Sequence, residues 1–410
     1  MSIERIAYGD FGVSSQNTKR PDLNSSAAST EDSLLFSQQR RSLDDYTVGW
    51  ICAITAEYVA AQAFLDARHD TPEMTPRNDN NSYTLGKIGH HDVVIAALPI
   101  GEYGAASAAR VATDMLRTFP NVRIGLMVGT AGGAPNSKHD IRLGDVVVSV
   151  PHGGKGGVFP YDFGKIIQGK DFKVSGHMDK PPITLRNAVM SLQTSYQLNG
   201  HQLDDAINEV LEQKPRLKRE YKRPDPNTDS LYLSKVTHPG GDELRCTEVC
   251  GDNPLELVPR KPRTQDDDNP TIHYGRVASG NKLVKDAFFR DKMAKENGIL
   301  CFEMEAAGLM NHFPCLVIRG ISNYADTHKN DEWQGYASMT AAAYAKDLLY
   351  RIPANDLRAE RSVSDIVSAV ERNINKTRRD MIDSLLEQRQ AESYLWVPAP
   401  DPSTSYNNAL

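Results

Sequence analysis

Apolar runs that alternate with helix-spaced segments constrain this chain most. Val48-Gly49-Trp50-Ile51-Cys52-Ala53-Ile54 is almost continuously apolar, as a strand buried on both faces must be, and Glu57 to Leu65 follows with helical spacing. Leu85 to Ile88 and Asp92 to Pro99 give two more strands. The turn Gly101-Glu102-Tyr103-Gly104 leads into a helix from Ala105 to Thr118. Asn121 to Val128 predicts a further buried strand, ending in Gly129-Thr130-Ala131-Gly132-Gly133, and Leu143 to Val150 another. This alternation predicts an α/β fold around a mixed or largely parallel sheet with covered faces, in which ligands sit beyond the C-terminal strand ends. Gly101, Glu102, Gly129 and Thr130 fall at such ends.

The polar stretch 1–44 reads as a flexible leader, and the folded domain spans 45–352. It is interrupted at about 151–263 by an irregular insertion or lid with a helix around Asp204 to Glu212 and a basic run from Lys214 to Arg223. Core character returns at Ile272 to Gly280, continues through a helical segment to Asn297, and closes with the alanine-rich helix Gln334 to Leu349. Val363, Ile366, Val367, Val370, Ile374, Met381, Ile382 and Leu385 predict an amphipathic helical extension over 353–393, before a flexible tail at 394–410.

A formal charge of -6 with 24% charged residues gives no bulk argument for nucleic acid or an anionic membrane. No run approaches the roughly 20 apolar residues that span a bilayer, and the N-terminus has polar residues where a secretory core would lie, so a cytoplasmic protein is expected. The five cysteines are odd in number and unevenly placed, which fits a reducing compartment. Cys246 and Cys250 with His238 supply three candidate metal ligands where a structural zinc site needs about four, so an ordinary thiol pair and no metal are expected. The glycine turns lack both the Walker pattern and the three-glycine dinucleotide fingerprint, and no cofactor is expected.

Cys301-Phe302-Glu303-Met304-Glu305-Ala306-Ala307-Gly308 places two acids in a small-residue run, which suits a ligand held at element ends. It is followed by Cys315-Leu316-Val317-Ile318-Arg319 and then Gly320-Ile321-Ser322-Asn323-Tyr324-Ala325-Asp326. With Thr55-Ala56-Glu57, the glycine turn before the alanine-rich helix, and Val128-Gly129-Thr130-Ala131-Gly132-Gly133 in that order, the chain resembles the nucleoside phosphorylase and nucleosidase superfamily from about Val48 to Leu349. It looks most like the fungal branch. The resemblance implies a three-layer fold around a central mixed β-sheet, and a purine nucleosidase. Such an enzyme cleaves the N-glycosidic bond of an adenine nucleoside or nucleotide, ATP among them, to free base and ribose or ribose phosphate. It also implies a homo-oligomer, because relatives often complete their sites across an interface.

Residue by residue, the resemblance assigns Glu305 to the ribose hydroxyls, with Met304 packed under the sugar and Phe302 and Glu303 beside it. As a plain structural residue Glu305 would be an acid favoured at a helix N-terminus. Glu57 would orient or deprotonate the attacking water, or simply cap its helix. Glu102 would face the sugar or an incoming phosphate, or else hold a basic side chain. Phosphorylases of the bacterial type carry an arginine just before the central glycine, where this chain has Met127-Val128-Gly129, so water is favoured over phosphate as acceptor. A phosphate-dependent phosphorylase is the alternative.

Asn323 departs from the pattern, since adenine-cleaving relatives usually carry aspartate there to protonate N7 of the base. Inosine or guanosine preference, a weakened or silent nucleotide-binding homologue, and an engineered change remain as readings; Asp326 substitutes only if the turn brings it inward. The basic residues Arg216, Lys218, Arg219, Arg260, Arg263 and Arg276 are candidate phosphate ligands, or a solvated surface. No aromatic interleaving supports nucleic-acid binding.

Overall fold

The structure, a computed structural model, describes residues 41–395 apart from 71–75, 170–171, 177, 241–243, 245, 265–266 and 330. The leader before residue 41 and the tail from 396 therefore lie outside the described residues, as do the side chains of Val367 and Val370.

The strands are β1 (Val48–Cys52), β2 (Ala67–His69), β3 (Tyr83–Ile88), β4 (His91–Ala97), β5 (Ile124–Gly133), β6 (Val146–Ser149), β7 (Val158–Pro160), β8 (Gly164–Lys165), β9 (Lys173–Val174), β10 (Ile272–Ser279), β11 (Ile299–Glu303) and β12 (Cys315–Asn323). The helices are α1 (Thr55–Ala63), α2 (Ala105–Thr118), α3 (Ile183–Asn199), α4 (Leu203–Gln213), α5 (Lys218–Tyr221), α6 (Cys246–Val249), α7 (Ala287–Asn297), α8 (Ala306–Leu309), α9 (Gln334–Tyr350), α10 (Ala354–Ala359) and α11 (Val363–Leu395).

Among the described residues one sheet of ten strands runs in the order β11-β10-β6-β12-β5-β1-β4-β3-β2, with β7 beside β10. Pairs β1–β4, β1–β5 and β5–β12 are parallel, whereas β12–β6 and β3–β4 are antiparallel, so the fold is α/β around a central mixed sheet, as expected from the alternation of runs. All five residues of β1 are buried, the reason its sequence lacks a polar alternate face.

β5 is longer than the apolar run suggests. The small residues Gly129 to Gly133 do not turn away but continue the strand, pairing with β12 from Gly129↔Arg319 to Gly132↔Asn323. The same end also pairs antiparallel with β11, Phe302↔Gly132 and Cys301↔Gly133, which closes β5, β12, β6, β10 and β11 on one another. Side chains larger than these would keep the three strands apart. The convergence brings Thr130, Glu303 and Asn323 to one place.

α9 explains its own alanines: it is buried on nearly every side, between the sheet and the helices of the insertion. Leu185 and Leu192 of α3 and Leu203, Ile207 and Leu211 of α4 are buried in the same core as the sheet. Each such side chain contributes about 1.5–3 kcal/mol by leaving water. The insertion helices thus stack as a layer behind α9. α11 runs uninterrupted to Leu395, with Ile366, Ile374, Met381, Ile382 and Leu385 exposed. Among the described residues no helix is long and apolar enough to cross a membrane.

Candidate active site

Arg319 is the centre of the site. It sits on β12 with its side chain 1% exposed, and a guanidinium so buried must be paired. Its Nη2 donates to Glu303 Oε2 at the end of β11 and to Glu305 Oε2 at 3.2 Å, and its Nη1 lies 3.5 Å from the Thr130 carbonyl of β5. Burial opposes its charge, but Glu303, Glu305 and Glu57 hold its pKa above the ordinary value.

The three carboxylates have different work. Glu303 accepts from the backbone N–H groups of Glu305 at 3.1 Å and Ala306 at 3.1 and 3.2 Å, so it caps the start of α8 and fixes the turn. Glu305 is buried and lightly held: Oε1 accepts from Gly104 N at 3.3 Å, and Oε2 from Met304 N at 3.4 Å. Gly104 reaches it because its φ of 93° belongs to the left-handed region, where a side chain would be strained. Burial pushes the Glu305 pKa up to about 7, with Arg319 pulling it down and the neighbouring Glu303 and Glu57 adding to the rise.

Glu57, buried in the first turn of α1, caps its helix and also reaches the end of β5. Its Oε2 accepts from Ala53 N at 2.7 Å and Ile54 N at 3.2 Å, which caps the helix. Its Oε1 accepts from Thr130 N at 2.7 Å and Thr130 Oγ1 at 3.2 Å, which turns the carboxylate to the end of β5. Glu57 and Arg319 meet over Gly129, where an added Cβ would lie 2.4 Å from Glu57 Oε1 and 2.5 Å from Arg319 Nη1. Gly129→Ala is therefore expected to displace both groups and cut turnover at least about tenfold. Unchanged kinetics would show that Glu57 and Arg319 need not hold this geometry.

Asn323 ends β12 opposite Gly132. Its Oδ1 accepts from Ala325 N at 3.0 Å and its Nδ2 donates to Ser322 Oγ at 3.2 Å, so it does form the local turn cap that its residue type allows. Ala325 takes φ 50° in that turn. Asn323, Thr130 and Met304 are half-buried and border the cluster, whereas Phe302 is buried against Tyr161 at 5.8 Å and Phe289 at 6.0 Å between ring centroids. Asp326 does not turn inward as a free acid. Its Oδ2 pairs with Arg290 at 3.3 Å and its Oδ1 accepts from His328 N at 2.9 Å.

Other candidates are placed elsewhere. Glu102 is exposed, and its carboxylate takes the Ser107 hydroxyl at 2.7 Å and Arg110 Nη2 at 2.6 Å, which together hold its pKa below the ordinary range. Of its sequence readings, the structure shows the hold on a basic side chain. Arg216, Lys218 and Arg219 are exposed in and just before α5. Arg263 is bound to Asp145 by two 2.6 Å hydrogen bonds. Burial raises the Asp145 pKa, but Arg263 and His273 outweigh it and hold it at about 2. Arg260 bonds Tyr324 Oη at 2.8 Å and Asp229 Oδ2 at 3.1 Å; Arg276 bonds the Asn297 carbonyl at 2.6 Å and covers the Phe159 ring. Arg260, Arg276, Lys138 and Lys295 line a cavity of about 1280 Å³, whose walls include none of Glu57, Glu303, Glu305 or Asn323.

The residue that sequence reasoning passed over is Arg319. Its signal was there: one charge inside the apolar run Cys315 to Ile321 demands a buried partner. Removing it in Arg319→Met would leave Glu303 and Glu305 buried without a cation, with an expected loss of about 3–5 kcal/mol of stability in urea unfolding. A loss under about 1 kcal/mol would show that the pair is dispensable.

Comparison with known proteins gives relatives for parts of larger chains. This chain is similar to a nucleotide-binding leucine-rich repeat (NLR)-like protein of Hyaloscypha variabilis, 43% identical over 338 residues, which are 82% of this chain and 32% of that one. It is 31% identical over 84 residues to the ATP nucleosidase Cap17 of Escherichia coli, covering 19% of this chain and 17% of Cap17. The chain thus spans about a third of the first relative's length (32%) and a smaller part of the second (17%). No family model matches it. Among solved structures, the futalosine hydrolase of Helicobacter pylori covers 75% of this chain and 99% of its own, with TM-score 0.44 and 15% identity. The 5'-methylthioadenosine/S-adenosylhomocysteine nucleosidase of Neisseria meningitidis covers 74% and 98%, with TM-score 0.46 and 15% identity. An ATP nucleosidase thus stands among the proteins to which part of this chain is similar.

Proposed function

We propose that the chain is a purine nucleosidase that hydrolyses the N-glycosidic bond of an adenine nucleoside or nucleotide. The observation that carries this reading is the cluster of three carboxylates about one buried arginine, gathered where β5, β11 and β12 converge. The local likeness to an ATP nucleosidase supports it and puts ATP first among the nucleotides to try.

In this reading the C1′–N9 bond breaks with its electron pair going to the base, and positive charge gathers on the ribose. Glu305, ionised, accepts from the ribose hydroxyls and stabilises that charge. Water attacks C1′ and its proton passes to Glu57. The four acceptor positions of Glu57 are filled, so it takes the water by releasing the Thr130 hydroxyl, one of its two longer contacts at 3.2 Å. The base leaves past Asn323, whose amide has no proton to give N7, and turnover is slow for that reason.

Water suits the electrostatics better than phosphate. Met127 is fully buried in β5, and Arg319 is already engaged by carboxylates, so a phosphate dianion would meet uncompensated negative charge. Adenine release should therefore be independent of added phosphate. Ribose 1-phosphate formed only when phosphate is present would replace this reading with a phosphorylase.

The proposal includes a homo-oligomer. Ile100 and Tyr103, 99% and 66% exposed, stand on the loop just before Gly104, beside Glu305, where a second copy would complete the site. Light scattering is expected to give a multiple of the chain mass. A monomer at assay concentration would count against it.

A further inference from the structure

Outside the carboxylate cluster, His238, Cys246, Cys250 and His328 converge, their ligand atoms all within 4.8 Å of one another. The sequence expectation of a plain thiol pair missed His328, which arrives from the turn after β12 and completes a set of four. We propose that these residues bind a zinc ion that fastens the insertion to the turn carrying Asn323.

Donor chemistry, geometry and surroundings each support this. Two thiolates and two imidazoles form the S₂N₂ set that selects zinc, whereas calcium and magnesium take oxygen ligands. A tetrahedron with Zn–S of about 2.3 Å and Zn–N of about 2.0–2.1 Å has edges of about 3.3–3.8 Å. Here His238 Nδ1 is 3.0 Å from Cys250 Sγ and Cys246 Sγ is 3.6 Å from His328 Nδ1, and every pair lies within 4.8 Å, so shifts of about an ångström or less bring the four atoms to these edges. His328 is oriented as metal-binding histidines are: Nε2 faces the Val236 carbonyl at 3.2 Å and takes the ring proton, which leaves the Nδ1 lone pair toward Cys246. Tyr232 stacks on the His328 ring with centroids 3.8 Å apart and planes at 12°, and its hydroxyl donates to Gly251 O at 2.8 Å.

Four protein ligands close the coordination sphere, which makes the site structural: no position is left for water or substrate. Its effect runs through the backbone. His238 N donates to Thr327 Oγ1 at 2.9 Å, and His328 N to Asp326 Oδ1, whose other oxygen pairs with Arg290; Arg290 in turn donates to the Tyr324 carbonyl at 2.9 Å. The residues from Tyr324 to His328 are thus pinned by the insertion at Thr327 and His328 and by Arg290 of α7 at Tyr324 and Asp326, and Asn323 is the next residue back. The inference does not depend on the nucleosidase reading.

The full chain, purified without chelator, is expected to hold about one zinc ion by elemental mass spectrometry. Cobalt added to the chelator-stripped chain should give the intense visible absorption of tetrahedral thiolate coordination. Cys246→Ser and His328→Gln should each lower zinc content at least about tenfold. Because a variant can also lose metal by unfolding, the stripped unmodified chain is titrated with zinc and followed by hydrogen exchange, where amides in 232–240 and 324–328 should slow at least about tenfold. Stripped protein that takes up neither zinc nor cobalt, stoichiometric iron or copper in place of zinc, a Cys246–Cys250 disulfide, or zinc uptake without protection of those amides would each overturn the proposal.

Discussion

Asn323→Asp is expected to raise the rate of adenine release by about 10²–10⁴-fold, the range a positioned general acid contributes. The position is already built for a carboxyl group. One oxygen would keep the bond from Ala325 N, now made to Asn323 Oδ1 at 3.0 Å. Where Nδ2 now donates to Ser322 Oγ at 3.2 Å, the serine hydroxyl would rotate and donate in turn. The carboxylic acid then has a proton for N7, which the amide lacks. No gain with unimpaired ligand binding would mark the chain as a nucleotide sensor. A loss of inosine or guanosine cleavage that only the unmodified chain performs would instead show that Asn323 chooses the base.

The second large effect is expected at Glu305. Glu305→Gln should lower kcat/KM by about 10²–10³-fold, since it removes a negative charge placed against the developing sugar cation and one of the acceptors for its hydroxyls. Its pH signature separates this from a packing defect. With the carboxyl pKa raised to about 7 by burial, Glu305 is neutral below that pH and ionised above it. Activity carried by the ionised form must fall as pH drops through about 7, by about tenfold per unit, and the fall should disappear in the variant. A limb that survives in Glu305→Gln assigns the titration to another group.

Much of the fold was legible because buried strands write themselves as apolar runs: β1, β4 and β6 stand near their expected places for that reason. The end of β5 was not, since glycine and alanine read as a turn until β11 and β12 are there to pair with them. The order of motifs brought Glu57, Thr130, Glu305 and Asn323 into consideration together, and the folded chain brings them to neighbouring strand and helix ends. Direction was harder. Glu102 is on the loop beside Glu305, yet its side chain turns to Ser107 and Arg110, a choice between solvent partners that no local pattern encodes. Arg260, Arg263 and Arg276 looked like free cations because their partners Asp229, Asp145 and the Asn297 carbonyl lie far off in sequence. His328 was hidden in the same way, as the fourth member of a cluster whose other three residues belong to the insertion.

The central claim is cleavage between ribose and purine by this carboxylate cluster. Its most direct test is chromatographic detection of free base from ATP, ADP, AMP, adenosine, inosine and guanosine, with and without phosphate, by the unmodified chain, Asn323→Asp and Asn323→Asp/Glu305→Gln. Adenine should appear with the aspartate variant, at a rate indifferent to phosphate, and fall by at least about 10²-fold when Glu305 is also replaced. Free base from none of the six substrates, with the variants folded, would contradict the account.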